Sequence, residues 1–197
     1  MNCVGVILAG GGATRYDGRP KGLEVVDGMR MIDRVAAALR ETADELLLVA
    51  NDPDASSWLP GVRTARDLRT GKGALGGLHA AVAHANGAGT LVVAWDMPFV
   101  PAGLLRALRA LGEPGFDVAV PESETSGRGV EPLCAWYGPA CLVAIERRLD
   151  AGDRRVVGFH EDVRVARLGA ADVAQWGDPK RIFWNVNSPD DLSATPR

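Results

Sequence analysis

The chain has 197 residues, 47% of them hydrophobic, and is expected to form a single domain spanning 1–197, large enough to bury a core without disulfides. Its 22 Lys and Arg nearly balance 25 Asp and Glu, for a net charge of -3, which excludes a general attraction for nucleic acid and makes any phosphate binding local. No apolar run is long enough to span a bilayer, and residues 1–8 lack the basic region and cleavage site of a secretory signal, so no membrane partner and a cytoplasmic location are expected.

In chain order, residues 3–8 form a short apolar run that stops at glycines, as a buried strand entering a turn does. Apolar residues at helical intervals over 31–42 predict a helix, and 45–50 a second strand. The alternation continues with a strand near 62–65, a helix near 75–85, a strand at 90–95 and a helix at 102–111. Strands at 117–120 and 133–137, a helix at 139–149 and a strand at 163–168 follow. Residues 183–186 read as a last strand, and Ser188 with Pro189 as the capped start of a helix. The fold class implied is α/β, a mostly parallel Rossmann-like sheet with helices on both faces. In such sheets ligands bind beyond the carboxyl ends of the strands, which directs attention to the loops at 9–23, 51–54, 67–75, 96–101 and 121–132 and to the turn after Val186.

Cys3, Cys134 and Cys141 are odd in number and lack C-x-x-C spacing, so they read as buried small hydrophobes. His79, His84 and His160 lack metal-ligand spacing, and none falls in a loop that carries a motif.

The first loop reads Leu8-Ala9-Gly10-Gly11-Gly12-Ala13-Thr14-Arg15, with Lys21 following. Consecutive glycines let the backbone approach a phosphate chain and turn N–H groups toward it, while Arg15 and Lys21 offset its charge. The structural alternative is a tight turn only. A P-loop is excluded because Gly22, not Ser or Thr, follows Lys21. A dinucleotide fingerprint fails because Arg15 occupies its third glycine position. The second informative segment runs from Val92 to Pro101 and contains Trp95-Asp96-Met97-Pro98. A carboxylate directly after a buried strand can hold Mg²⁺ against triphosphate oxygens, and Asp96 lies too far upstream to cap a helix starting near Ala102. In that role it makes no core contact, so its replacement is expected to leave the melting temperature of the free protein nearly unchanged.

The segments L-A-G-G-G-A-T-R, P-K-G-L, W-D-M-P-F-V-P and F-W-N-V-N-S-P-D-D-L, with E-P-L-C-A-W-Y and A-G-D-R-R-V between them, resemble those of the molybdenum cofactor guanylyltransferases, a branch of the nucleotidyltransferase superfamily. The resemblance implies a fold like that of the nucleotide-diphospho-sugar transferases. It also implies GTP as donor, molybdopterin as acceptor and Mg²⁺ as cofactor, with room for transient contact with cofactor-supplying or molybdoenzyme partners.

Carried onto these positions, it implies that Leu8, Ala9 and Gly10 bind nucleotide through backbone groups and that Gly11 and Gly12 continue the cradle. Lys21 and Arg15 would act on the triphosphate and Asp96 on the metal. Asn51, Asp67, Gly73, Gly76 and Gly77 would lie near the nucleoside, and Asn185 and Asn187 on the pterin side. The chain departs from the family pattern at Trp95, where a small residue or Cys is common, and at Glu131, where many members have His. Val49 stands at a position that can be polar near the guanine.

A relative using CTP, or acting on a sugar phosphate or phospholactate, would share the first loop and Asp96. A nucleotide-binding module without turnover would not need Lys21 and Asp96.

Overall fold

The computed structural model describes residues 2–10, 15–16, 19–113, 115–186 and 191. The strands are β1 (Cys3–Ala9), β2 (Arg15–Tyr16), β3 (Arg19–Pro20), β4 (Val25–Val26), β5 (Met29–Arg30), β6 (Glu45–Ala50) and β7 (Arg63–Ala65), followed by β8 (Gly89–Ala94), β9 (Val118–Ser123), β10 (Gly129–Val130), β11 (Cys134–Tyr137) and β12 (Val165–Leu168). The helices are α1 (Met31–Arg40), α2 (Gly73–His84), α3 (Ala102–Gly112), α4 (Cys141–Asp150), α5 (Ala170–Val173) and α6 (Pro179–Ile182). Two small hairpins, β2–β3 and β4–β5, stand apart from the main sheet.

The centre of the sheet is parallel, with β1 between β6 and β8 and β7 beyond β6. β11 runs antiparallel to β8 and β9, while β12 restores a parallel pair with β9. β10 and β11 both pair antiparallel with β9, but out of register with each other. Extra residues therefore bulge from the ladder between Val130 and Trp136, as happens where a sheet edge is re-aimed.

Side chains alternate across a strand, so a central strand feeds two cores. On β1, Cys3 and Ile7 enter the core shared with α1 and α3, while Val4, Val6 and Leu8 enter the core shared with α2 and α4. That is why the run carries no polar residue. α1 buries Met31, Ile32, Val35, Ala36 and Leu39, a stripe at helical spacing. Its opposite face carries Asp33, Arg34 and Arg40, none of which is buried.

The C-terminal part departs from expectation. Residues 183–186 are not a strand; they follow α6 as irregular chain in which Phe183 and Val186 are buried. Their only backbone tie to the sheet side given among the described residues is the Val186 amide, which donates to the Asp96 carbonyl at 3.0 Å. Buried apolar residues at the two ends of a short segment satisfy a hydrophobic cluster as well as a ladder, and here Val186 packs with Val26 and Met31. α6 had a sequence signal that the strand reading overlooked: Asp178 caps it by accepting from the Lys180 amide at 2.9 Å, and Pro179 occupies its first turn. The expected helix start at Ser188 and Pro189 lies outside the described residues.

Leu108 on α3 is fully buried and does not line the cavity described below. Leu108→Ala is expected to lower unfolding free energy by about 2–5 kcal/mol in urea titration, without changing nucleotide affinity per folded molecule.

Candidate active site

At the carboxyl ends of β1, β6 and β8 the structure leaves a cavity of about 480 Å³. Its floor is the ends of those strands, Leu8 to Gly10, Val49 to Asn51 and Ala94 to Asp96. One wall is the first turn of α2, from which Gly73, Ala74 and Gly77 face the space. α2 has no side-chain cap at its N-terminus, so its first amide groups are left without the partner that caps usually supply. A helix start in that state favours negative charge.

The structure brings most of the sequence-predicted residues to this one place. Leu8, Ala9, Gly10, Asn51, Asp67, Gly73, Gly77 and Asp96 all line the cavity. Gly76 does not; it lies beneath, where an added Cβ would come within 2.9 Å of Lys72 Cβ and 3.1 Å of the Arg69 carbonyl. The glycine there lets the 69–72 loop pack onto α2. Arg15 falls on β2, paired across that hairpin with Pro20. Gly11, Gly12 and Asn187 lie outside the described residues. Asn185 is exposed, with its side-chain amide donating to the Phe183 carbonyl at 3.3 Å.

Two couplings were not visible in the sequence. Asn51 and Asp67 form a reciprocal pair: Asn51 Nδ2 donates to Asp67 Oδ2 at 2.8 Å and the Asp67 amide donates to Asn51 Oδ1 at 2.9 Å. This closes the loops after β6 and β7 onto each other and holds the Asp67 carboxylate over the first turn of α2.

The second coupling is Lys21 Nζ, which donates to Asp96 Oδ2 at 2.8 Å. Lys21 is 3% exposed. The expectation that Asp96 has no structural role is therefore corrected, because Asp96 is the counterion of a buried ammonium. Breaking a buried pair costs about 3–5 kcal/mol where burial is complete, and less here, where Asp96 is partly exposed.

Asp96 Oδ1 is buried and has no hydrogen-bond partner among the described residues. An unmatched carboxylate oxygen on a residue that lines the cavity is the donor type that Mg²⁺ takes, and that ion commonly uses one or two carboxylates with the rest of its shell from phosphate and water. Among the described residues no group of three or more His, Cys, Asp or Glu could enclose a metal. The residues present thus fit an ion shared with a phosphate ligand, rather than one caged by protein.

Trp95 and Glu131, the two departures from the family pattern, both fall at this edge, together with Trp58, which the sequence did not single out. Trp58 and Trp95 stack with ring centroids 5.3 Å apart and both line the cavity; nothing in the sequence joins them. Glu131, in the bulge before β11, is 5% exposed. Burial pushes its carboxyl pKa up, the Leu133 amide and Arg128 oppose this, and the charge of Asp96 adds to the rise.

The thiols of Cys3, Cys134 and Cys141 are free and buried. Burial raises Cys3 to about 11 and Cys141 to about 12, so neither is a nucleophile at neutral pH. No histidine lines the cavity. His160 is held neutral by burial, its pKa lowered to about 4.

Residues 5–164 match the MobA-like NTP transferase domain. The chain belongs to this family. It is 38% identical over 192 residues to a protein of Pelotomaculum thermopropionicum named "probable molybdenum cofactor guanylyltransferase", covering 98% of this chain and 91% of that protein. A molybdenum cofactor guanylyltransferase of Desulfosudis oleivorans is 33% identical, with 95% and 91% covered. The crystal structure of molybdopterin-guanine dinucleotide biosynthesis protein A from Archaeoglobus fulgidus superposes with a TM-score of 0.79 at 27% identity, covering 98% of this chain and 96% of that one. The nucleotidyltransferase fold expected from the motifs is thereby borne out, and in this MobA-like transferase the motif residues Leu8, Ala9, Gly10 and Asp96 gather at the carboxyl edge of the sheet.

Glu131 gives a pH test. A carboxyl whose pKa is raised on folding binds its proton more tightly when folded, so its burial cost is absent below the unfolded pKa, near 4.3, and grows as pH rises toward and past the folded one. Glu131→Gln keeps an oxygen for the Leu133 amide and removes the charge. Without nucleotide or metal it is expected to melt above the wild type at pH 7, with the difference vanishing below about pH 4. Differential scanning calorimetry across that range checks it.

Proposed function

We propose that this transferase moves GMP from GTP to molybdopterin-bound molybdenum cofactor, releasing pyrophosphate and forming a guanine dinucleotide. The observation that carries the reading is the joining of Lys21 to Asp96, 2.8 Å apart, on the wall of a cavity in a chain that aligns almost end to end with proteins of that name. A bare nucleotide-binding module would have no reason to keep a lysine buried against an aspartate at that edge.

In the reaction an oxygen of the acceptor phosphate bonds to the α-phosphorus of GTP while the bond from that phosphorus to the bridging oxygen of the β-phosphate breaks. Pyrophosphate carries away the electron pair. The attacking phosphate monoester, with a second pKa near 6, is mostly dianionic at pH 7, so no side chain has to remove a proton. This agrees with a cavity lined by no histidine.

The chain's own work is positioning and charge neutralisation. Backbone groups of Leu8, Ala9 and Gly10, continued by Gly11 and Gly12, cradle the phosphates, and Lys21 and Arg15 offset their charge. Asp67, held by Asn51, lies with Gly73, Gly77 and the first turn of α2 on the nucleoside side. Gly76 supports that turn from below. Asn185 and Asn187 act on the pterin side; Asn185 precedes Val186, whose amide donates to the Asp96 carbonyl. Asp96 would hold Mg²⁺, which would supply positive charge to offset that of the phosphates. The reaction takes place in the cytoplasm, with short-lived contacts to proteins that supply or receive the cofactor. No helix among the described residues is long and apolar enough to cross a membrane.

A CTP-using relative is the second reading, favoured by one observation. Val49 lines the cavity as an apolar side chain, so β6 offers the base no polar group there. GTP is expected to raise the melting temperature in Mg²⁺ more than CTP, ATP or UTP does at equal concentration, since stabilisation follows affinity for the folded state. An equal or larger shift with CTP assigns the donor to CTP.

Asp96→Asn keeps shape and removes charge. It is expected to cut pyrophosphate release per folded molecule by about a hundredfold or more. The free protein should also melt lower, because the partly buried Lys21–Asp96 pair loses one of its charges. Turnover at the wild-type rate per folded molecule refutes the site.

A further inference from the structure

Lys21 opens a short 3-10 turn, Lys21–Leu23, whose middle residue Gly22 is buried. A Cβ added to Gly22 would lie 2.2 Å from Trp95 Cε3 and 2.6 Å from Trp95 Cδ2. These distances leave no room for a methyl group, so the indole rests directly on the backbone of Gly22. The same indole stacks on Trp58, with planes 21° apart, and is 3% exposed. Its own backbone is fixed, because the Trp95 amide donates to the Leu8 carbonyl at 3.1 Å.

Trp95 is followed directly by Asp96, whose carboxylate takes the Lys21 ammonium. The 21–22 turn and the 95–96 turn therefore meet twice, once through charge and once through the indole on Gly22. An ion pair alone does not place a lysine, since the ammonium sits on a four-carbon stem with several rotatable bonds. The backbone end must be fixed as well, and an indole seated on a glycine and backed by a second indole is a rigid way to do so.

The geometry points to Trp95 as a positioning residue: seated on Gly22 and backed by Trp58, its ring sets the Lys21 turn and so the place of the ammonium at Asp96. It deepens the proposed function and rests on the reading that Lys21 and Asp96 handle the charge of the substrate. A tryptophan that merely filled space would cost stability when trimmed and leave the rate per folded molecule alone.

The test measures pyrophosphate release with GTP, Mg²⁺ and molybdopterin, normalised to the folded fraction from melting curves. The proteins are wild type, Gly22→Ala, Trp95→Leu, Gly22→Ala with Trp95→Leu, Lys21→Ala, and Lys21→Ala with Trp95→Leu.

Gly22→Ala is expected to lower kcat about tenfold or more with little change in KM for GTP, because a displacement near 1 Å at a charged group is enough to do so. Adding Trp95→Leu removes the ring atoms that the new methyl meets and should recover most of that loss, against the trend of two destabilising changes. Trp95→Leu alone should lower kcat, and should lower it no further once Lys21 is Ala, since coupled residues are non-additive.

The inference is overturned if the Gly22→Ala effect simply multiplies with that of Trp95→Leu, or if Trp95→Leu costs as much in the Lys21→Ala background as in wild type. The second cycle stands even where Gly22→Ala does not fold. A Lys21→Ala protein that turns over like wild type overturns the reading of the site itself, a separate outcome from either.

Discussion

Lys21 carries its ammonium into a position that is 3% exposed, where the carboxylate of Asp96 takes it at 2.8 Å. Charge placed at that burial has to be matched, or the turn that carries it is destabilised. The pair in turn depends on two loops meeting beyond the sheet. One follows β1 through the glycines to Lys21, and the other leaves β8 at Ala94. Because β1 and β8 are parallel neighbours with Leu8 opposite Ala94, both loops start from the same edge at the same height. Strand register therefore sets the distance at which a lysine and an aspartate far apart in sequence can meet.

The same edge is shaped on each side by departures from regular structure. Toward β7, Asn51 and Asp67 tie two loops together over the start of α2, a helix without a side-chain cap. Toward β9, the ladder is broken by the bulge that carries Glu131 and Leu133, and Leu133 faces the cavity while its carbonyl still accepts from the Ala94 amide at 2.8 Å. The bulge buries a carboxyl beside Asp96 rather than leaving it in water. The result is a set of groups that fit poorly among themselves: an open oxygen on Asp96, a carboxyl at Glu131 with raised pKa, and uncapped amide groups on α2.

What the sequence made legible follows from the range of the interaction involved. β1, β6, α1 and α3 are written in local periodicity, as near-continuous apolar runs for the strands and a stripe for the helices, and their ends fall within a residue or two of those expected. The motif residues Leu8, Ala9, Gly10 and Asp96 are legible because strand ends point at ligands in this fold class. Pairings are not written locally. Nothing in the residues around Asn51 names Asp67, and nothing around Gly22 names Trp95, although the unusual Trp before the aspartate was visible. The strand expected at 183–186 shows the converse limit: a short segment in which Phe183 and Val186 are buried does not distinguish a ladder from a cluster, and the Asp178-Pro179 cap upstream was the signal that a helix ends there.

A rigid edge with unmatched charge suits transfer between two phosphates. The chemistry needs little from side chains as acids or bases, because the nucleophile arrives ionised. It needs positive charge and amide groups already in place when negative charge gathers around the α-phosphorus, since groups that must reorganise at that moment lose most of their effect. A lysine free in water would have to be drawn in and stripped of solvent during the reaction. One already buried against Asp96 has met that cost on folding, at the expense of the stability of the empty protein. The nucleotide and its cation then add the charges that the open oxygen of Asp96 and the first turn of α2 lack. Binding should tighten the fold most at the edge where the free protein is least well matched, and the two cores on either side of the sheet supply the rigidity that lets it wait in that state.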